Sequence, residues 1–156
     1  MTGPGLPSAD DRRWLEAAID LARRCPPSER AFSVGALIVA DGTEISRGWS
    51  RETDAHVHAE ESALAKLDLA DPRLRRATIY SSLEPCSRRR TQPLSCTQRI
   101  LDAGIPRVVF AWREPALFVD CRGAEDLQAA GVTVVEIPDL AQAVRDVNAH
   151  LFPPAR

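Results

Sequence analysis

The sequence lacks a strongly basic charge, a long apolar segment and a leader-like N-terminus, and each absence excludes a class of protein. The formal net charge is −2, so no overall positive field marks a nucleic-acid-binding surface. No apolar run approaches the roughly 20 residues that a membrane-spanning helix needs. The N-terminus has neither the charged nor the apolar region of a secretory signal, so we expect a cytoplasmic protein.

Lysine and cysteine are also scarce. Lys66 is the single lysine among 20 basic residues, a bias typical of GC-rich coding sequence, so the arginines alone do not indicate phosphate binding. Four cysteines in a reducing compartment argue against a disulfide framework and for metal or catalytic use of some of them. Cys25 and Cys121 are interpreted as small buried or half-exposed thiols.

The remaining composition is that of one globular domain. A chain of 156 residues is long enough to bury a sizeable core, so we predict a single domain over residues 1–156. Its first seven residues, 1–7, are rich in glycine and proline and are predicted to be frayed.

Hydrophobic periodicity predicts the element order α-β-β-α-β-α-β-α-β-α. Asp41-Gly42 joins the first two strands and is a strong hairpin signal, whereas the later strands alternate with helices, as parallel strands do. We therefore predict an α/β fold, a three-layer α-β-α sandwich with a five-stranded mixed sheet. The predicted helices cover residues 9–24, 59–69, 96–103, 124–130 and 140–151, and the predicted strands 34–40, 44–49, 78–83, 107–112 and 132–137.

Three residues with zinc-binding side chains stand at the ends of these predicted elements. His58 precedes the second helix, Cys86 follows the third strand, and Cys96 opens the next helix. Imidazole nitrogen and thiolate sulfur bind zinc, and a catalytic zinc keeps its fourth position open. Glu60 lies about 200° around a helix from His58, so we predict that it is not a ligand but a catalytic proton carrier beside the metal.

The same residues carry a family resemblance. His58-Ala59-Glu60 followed by Glu84-Pro85-Cys86 and Cys96 resembles the zinc deaminase signature, and the chain is identified as a member of the cytidine deaminase-like zinc superfamily. Nine residues separate the two cysteines. That gap is similar to the deaminase domain of riboflavin-biosynthesis enzymes and unlike the Cys-x-x-Cys of most nucleoside and tRNA deaminases. Further similar segments are Phe32 to Ala36, Gly48-Trp49, Val108 to Val119, Gly123 and Ala129 to Val132.

The resemblance implies a reaction and a cofactor. Enzymes of that family remove an amine from a diaminopyrimidinone ribosylamino phosphate and release ammonia, with zinc bound and a glutamate moving protons. By resemblance His58, Cys86 and Cys96 would bind zinc, and Glu60 would carry the protons. A homodimer or tetramer is expected. The reductase domain that usually follows in bifunctional enzymes is not recognised here, so a separate reductase is expected.

The candidate substrate-binding residues are aromatic, histidine and arginine side chains near the predicted ligands: Phe32, His56, Arg88, Arg89, Arg90 and Trp112. Three consecutive arginines would clamp a substrate phosphate, or they form a solvated loop. Core packing is the alternative for Trp112, and a solvent-facing position is the alternative for His56.

The substrate stays open at this stage. Several positions depart from the riboflavin pattern, including Ala31 in place of asparagine, Ser50 in place of histidine and Glu114 in place of aspartate. Deamination of another base, nucleoside, nucleotide or specialised metabolite is therefore an alternative. A structural zinc module that binds a partner is a further alternative, although structural sites usually have four protein ligands.

Overall fold

The structure is a computed structural model that describes residues 5–87, 94–115 and 121–152. Within these ranges, five helices are formed by Ala9–Ala22 (α1), Ala59–Ala65 (α2), Cys96–Ala103 (α3), Gly123–Ala129 (α4) and Ala141–Val147 (α5). The same described residues contain five strands, formed by Gly35–Ala40 (β1), Thr43–Trp49 (β2), Ala77–Leu83 (β3), Arg107–Trp112 (β4) and Thr133–Glu136 (β5). Short 3-10 turns occupy Pro72–Arg76, Pro138–Leu140 and Ala149–Leu151.

The strands form one mixed sheet in the order β2-β1-β3-β4-β5. Strand β1 is antiparallel to β2 and β3, whereas β3, β4 and β5 are mutually parallel. The predicted α/β fold and five-stranded mixed sheet are confirmed.

Alternating side chains of the sheet divide the core into two layers. Leu37 and Val39 of β1 pack with α1 and α5 on one face. Ile38 and Ala40 pack with α2, α3 and α4 on the other face. This alternation follows from the two-residue period of a strand, and it produces the predicted three-layer sandwich.

Local sequence signals explain several element ends. Asp41 and Gly42 both have positive φ, 52° and 75°, which is the backbone that a tight two-residue hairpin between β1 and β2 requires. Ser8 and Asp11 form a reciprocal capping box at the start of α1. Gly104 ends α3 in the left-handed conformation.

Two glycines let helices lie directly against the sheet. A Cβ atom at Gly35 would lie 2.0 Å from the Ala18 carbonyl oxygen of α1. A Cβ atom at Gly48 would lie 2.5 Å from the Ala59 carbonyl oxygen of α2. The second approach is the more important for function, because it fixes the helix that follows His58.

Helix α1 ends at Ala22, two residues earlier than predicted, and two further helices end four residues early. Helix α2 ends at Ala65 rather than at Leu69, and α5 ends at Val147 rather than at Leu151. In the part of the chain that the structure describes, no helix is long and apolar enough to span a bilayer.

Candidate metal centre

The three predicted ligands come together beside the carboxyl end of β3. Cys86 lies three residues after this strand, Cys96 is the first residue of α3, and His58 immediately precedes α2. A backbone hydrogen bond from Thr97 to the Cys86 carbonyl, 3.1 Å long, joins the two cysteine segments. The cluster therefore depends on three elements that are distant in sequence.

The spacing of the donor atoms fits a tetrahedral metal ion. His58 Nδ1 lies 3.6 Å from Cys86 Sγ and 3.4 Å from Cys96 Sγ, and all three donor atoms lie within 4.8 Å of one another. Zinc bonds of about 2.3 Å to sulfur and about 2.0 Å to nitrogen at tetrahedral angles place nitrogen and sulfur about 3.5 Å apart. The set supplies one face of a zinc tetrahedron and leaves its fourth position to another ligand.

The two thiols are electrostatically coupled. Hydrogen bonding with Cys96 and with His58 lowers the pKa of Cys86 to about 4. Hydrogen bonding to Cys86 together with burial raises the pKa of Cys96. The backbone N–H of Cys96 also donates to Cys86 Sγ at 3.2 Å. The pair therefore holds a thiolate readily, and a bound cation would favour a second one.

Glu60 lies beside this cluster. Its side chain is only 4% exposed, and Ser81 Oγ donates to Glu60 Oε1 at 2.5 Å. Glu60 also raises the pKa of Cys96, through its charge and a side-chain hydrogen bond. The carboxylate is thus next to the ligands without being one of the three clustered donors.

A second buried carboxylate supports the loop that carries Cys86. Glu84 is 3% exposed and accepts hydrogen bonds from the backbone N–H groups of Glu114 at 3.1 Å and Ala124 at 2.9 Å. Burial raises the pKa of Glu84, although these hydrogen bonds oppose the shift. Close packing adds to this support, since a Cβ atom at Gly123 would lie 1.8 Å from the Pro85 carbonyl oxygen.

The His58 end of the site is held in a similar way. The His58 backbone N–H donates to Glu61 Oε1 at 3.3 Å, and the other carboxylate oxygen of Glu61 lies 3.2 Å from a guanidinium nitrogen of Arg99. Arg99 belongs to α3, which begins at Cys96. This ion pair therefore ties the helix after one ligand to the helix that begins with another.

The candidate substrate-binding residues fall into three groups. Phe32 is buried and makes an edge-to-face contact with Trp112, with ring centroids 6.0 Å apart. Both pack in a cluster that includes Ala59, the neighbour of His58. His56 lies on the exposed loop before the ligand, where its backbone N–H bonds to Asp54. Arg88, Arg89 and Arg90 lie outside the described residues. Contact of any of these residues with substrate stays a prediction.

Sequence reasoning missed Ser81 and the environment of Glu114. Burial raises the pKa of Glu114 to about 7, and the charge of Cys86 adds to this shift, so the carboxyl lies within electrostatic range of the site. Only the order of the parallel strands brings it there, because Glu114 follows β4, the neighbour of β3. Cys25 and Cys121 are half-buried thiols that donate to the carbonyls of Val34 and Pro85, in agreement with their interpretation.

Comparison with known proteins gives the same family from sequence and structure. Residues 8–112 match the family described as "Cytidine and deoxycytidylate deaminase zinc-binding region". The diaminohydroxyphosphoribosylamino-pyrimidine deaminase of Schizosaccharomyces pombe is 42% identical over 125 residues, which is 79% of this chain and 31% of that protein. The chain spans about a third of the length of the curated relatives it matches.

Two solved structures are similar over most of the chain. A Thermotoga maritima diaminohydroxyphosphoribosylaminopyrimidine deaminase/5-amino-6-(5-phosphoribosylamino)uracil reductase has a TM-score of 0.75 at 30% identity, covering 88% of this chain and 39% of that one. The Rib2 deaminase of Aspergillus oryzae, solved with DARIPP bound, has a TM-score of 0.76 at 25% identity, covering 89% of this chain and 90% of that one. The Aspergillus oryzae chain is a C-terminal deletion mutant, so its matching length is that of the shortened protein.

Proposed function

The chain belongs to the cytidine and deoxycytidylate deaminase zinc-binding family, and from that premise we propose that it is a zinc-dependent hydrolytic deaminase of an aminopyrimidine. The proposed substrate is the diaminopyrimidinone ribosylamino phosphate intermediate of riboflavin biosynthesis, and ammonia is released. The reaction is supported by one observation above all, a three-donor cluster with the buried Glu60 carboxylate beside it. The substrate is supported by the names of the relatives.

The metal-binding residues in this proposal are His58, Cys86 and Cys96. Their donor set is one nitrogen and two sulfurs, which suits zinc and leaves room for a further ligand. When bound, zinc supplies a Lewis acid that makes water a nucleophile near neutral pH. Glu61, Glu84 and Arg99 keep the segments that carry these donors in place.

Glu60 is the proposed proton carrier. It accepts a proton as the water oxygen bonds to the amine-bearing ring carbon, and it passes this proton to the adjacent ring nitrogen. It then transfers the remaining hydroxyl proton to the amine nitrogen. The carbon–nitrogen bond breaks, ammonia leaves, and the ring carbon becomes a carbonyl, so that substrate and water balance the two products.

The aromatic residues beside Ala59 are proposed to form one wall of the substrate pocket. Phe32 and Trp112 pack in the cluster that includes Ala59, the first residue of α2, and a flat heterocycle would stack on rings of this kind. His56 is proposed as a polar contact to the substrate. The arginines Arg88, Arg89 and Arg90 are proposed to bind the substrate phosphate.

A second candidate is deamination of a different pyrimidine nucleotide or nucleoside. The observation in its favour is Ser50, which stands where the riboflavin-type pattern has a histidine. Its hydroxyl accepts a hydrogen bond from the Val34 backbone N–H at 2.9 Å, and its side chain is buried. Because the Ser50 hydroxyl is hydrogen-bonded to the backbone of Val34, it does not make the substrate contacts that a histidine would make at this position.

The experiment that separates these candidates is an ammonia-release assay on a substrate panel. We expect the zinc-loaded protein to deaminate the phosphorylated riboflavin intermediate faster than its dephosphorylated form, dCMP, cytidine or cytosine, and chelator-treated protein to be inactive. Preference for dCMP or for an unphosphorylated compound would support the second candidate. Absence of ammonia with every compound, at full zinc occupancy, would contradict deamination.

Location and partners belong to the same proposal. We propose a cytoplasmic homodimer or tetramer whose product is passed to a reductase, the activity that accompanies deamination in the name of the solved Thermotoga maritima relative. Sedimentation measures the oligomeric state directly. Conversion of the product after addition of a purified reductase tests the coupling.

A further inference from the structure

Ser81 lies directly behind the proposed proton carrier. It belongs to β3, is 0% exposed, and points to the face of the sheet that packs against α2. Its hydroxyl oxygen lies 2.5 Å from Glu60 Oε1 and 2.8 Å from the Leu83 carbonyl oxygen. Both neighbours are acceptors, so the single hydroxyl proton serves one of them at a time.

The two contacts hold the hydroxyl in one place. The Leu83 carbonyl belongs to the backbone at the end of β3, and Glu84 immediately after it is braced by two backbone N–H groups. The distance of 2.5 Å between Ser81 Oγ and Glu60 Oε1 is at the short end of the range for O–H···O hydrogen bonds. Because one oxygen of Glu60 is held, rotation of the carboxylate is restricted and its second oxygen is kept at a fixed position.

We propose that Ser81 is a positioning residue for the deamination reaction, which orients the Glu60 carboxylate for proton transfer. This inference rests on the proposed function and adds a residue outside the metal-binding set. Ser81 has no exposed surface, so it acts through Glu60 and not on substrate. Its removal should therefore lower kcat and leave KM and zinc content unchanged.

The adjacent Ser82 provides a matched control. It is equally buried and belongs to the same strand, but its hydroxyl accepts from the Gly35 backbone N–H at 3.1 Å. Ser82→Ala therefore removes the same atom one residue further along the strand, without touching Glu60. A general effect of cavity formation in β3 would appear in both variants.

The first experiment measures kcat, KM and bound zinc for the zinc-loaded variants. We expect Ser81→Ala to lower kcat at least roughly tenfold relative to Ser82→Ala, the size expected for a hydrogen bond to a charged group. Ser81→Thr keeps a hydroxyl and should restore most of the activity. A Ser81→Ala variant within about twofold of Ser82→Ala, or one whose loss follows lost zinc, would overturn the proposal.

The second experiment measures the contact without any substrate. Urea unfolding of wild type, Ser81→Ala, Glu60→Ala and the double variant forms a double-mutant cycle, in which each single substitution removes one side of the contact. We expect non-additive midpoints, because the two side chains are hydrogen-bonded; additive midpoints would overturn the orienting contact. If wild type releases no ammonia while the cycle is non-additive, the proposed function fails and the contact remains.

Discussion

Two buried carboxylates on opposite faces of one strand show how differently this fold uses the same chemical group. Asp11 on α1 is 2% exposed, and Glu60 on α2 is 4% exposed. Tyr80 donates to Asp11 at 2.7 Å and Ser81 donates to Glu60 at 2.5 Å. Because consecutive strand residues point to opposite faces, two neighbouring residues of β3 hold both carboxylates.

The two groups differ in the number and charge of their partners. Asp11 accepts from the Ser8 backbone, from Tyr80 and from both terminal nitrogens of Arg107. Burial by itself would raise the pKa of Asp11, but these hydrogen bonds and the charge of Arg107 hold it well below its usual range. Such a group stays ionised and cannot exchange protons near neutral pH.

Glu60 has no such cationic clamp in the part of the chain that the structure describes. Its hydrogen-bond partners there are the hydroxyl of Ser81 and the thiol of Cys96. A neutral donor orients a carboxylate without fixing its charge as strongly as a guanidinium does. The comparison supports a stabilising role for Asp11 and the proposed proton-carrier role of Glu60, and substitutions can test that division.

The largest expected effect is that of Glu60→Gln on turnover. Glutamine keeps the shape and can accept from Ser81, but it cannot carry a proton, so we expect kcat to fall by roughly 10²–10⁴-fold. Zinc content and the free energy of unfolding should change little. Turnover close to wild type on a substrate that the wild type deaminates would remove Glu60 from its catalytic role.

Asp11→Asn should show the reverse pattern. It leaves Arg107 without its buried anion, and we expect a loss of about 3 kcal/mol in the free energy of unfolding at pH 7. Activity per folded molecule should be unchanged, because Asp11 lies on the sheet face opposite the metal centre. A large fall in kcat without a loss of stability would contradict the division of roles.

The dependence on pH gives a sharper form of that prediction. Since the pKa of Asp11 is lower in the folded state than in the unfolded state, its contribution is fully present above the unfolded value of about 3.9. It is lost as the pH falls below that value. The difference in unfolding free energy between wild type and Asp11→Asn should therefore shrink below about pH 4. A difference that stays constant with pH would contradict a lowered pKa of Asp11 in the folded state.

The sheet and its hairpin could be predicted from sequence because hydrophobic periodicity and the Asp41-Gly42 turn are local signals. The three candidate metal ligands could be predicted because together they resemble the zinc deaminase signature. Helix ends were less predictable, and Asn148 shows the reason. It is fully buried, and its side-chain amide bonds to the Val144 carbonyl and to both backbone groups of Ser33. A side chain that competes for the backbone ends α5 there, although the apolar pattern continues to Leu151.

The end of α2 could not be predicted from the apolar pattern either. Leu67 continues the apolar face of α2 and packs against the same core from outside the helix, so periodicity cannot show where the helix ends. Lys66 is turned towards the Arg47 carbonyl and Glu52 instead.

The contact between Ser81 and Glu60 could not be predicted from the sequence. The two residues are 21 positions apart, and only the packing of α2 on the sheet brings them together.

The smallest expected effect is that of Asp41→Asn, which repeats the Asp11 substitution on the surface. Asp41 also accepts a paired hydrogen bond from an arginine, Arg76, but both side chains are more than half exposed. Water replaces the arginine at little cost, and asparagine adopts the positive φ of 52° found at this turn as readily as aspartate does. We expect no measurable change in unfolding midpoint or in kcat. Because Asp11→Asn and Asp41→Asn make the same chemical change, a destabilisation of similar size at both positions would mean that burial does not decide the effect.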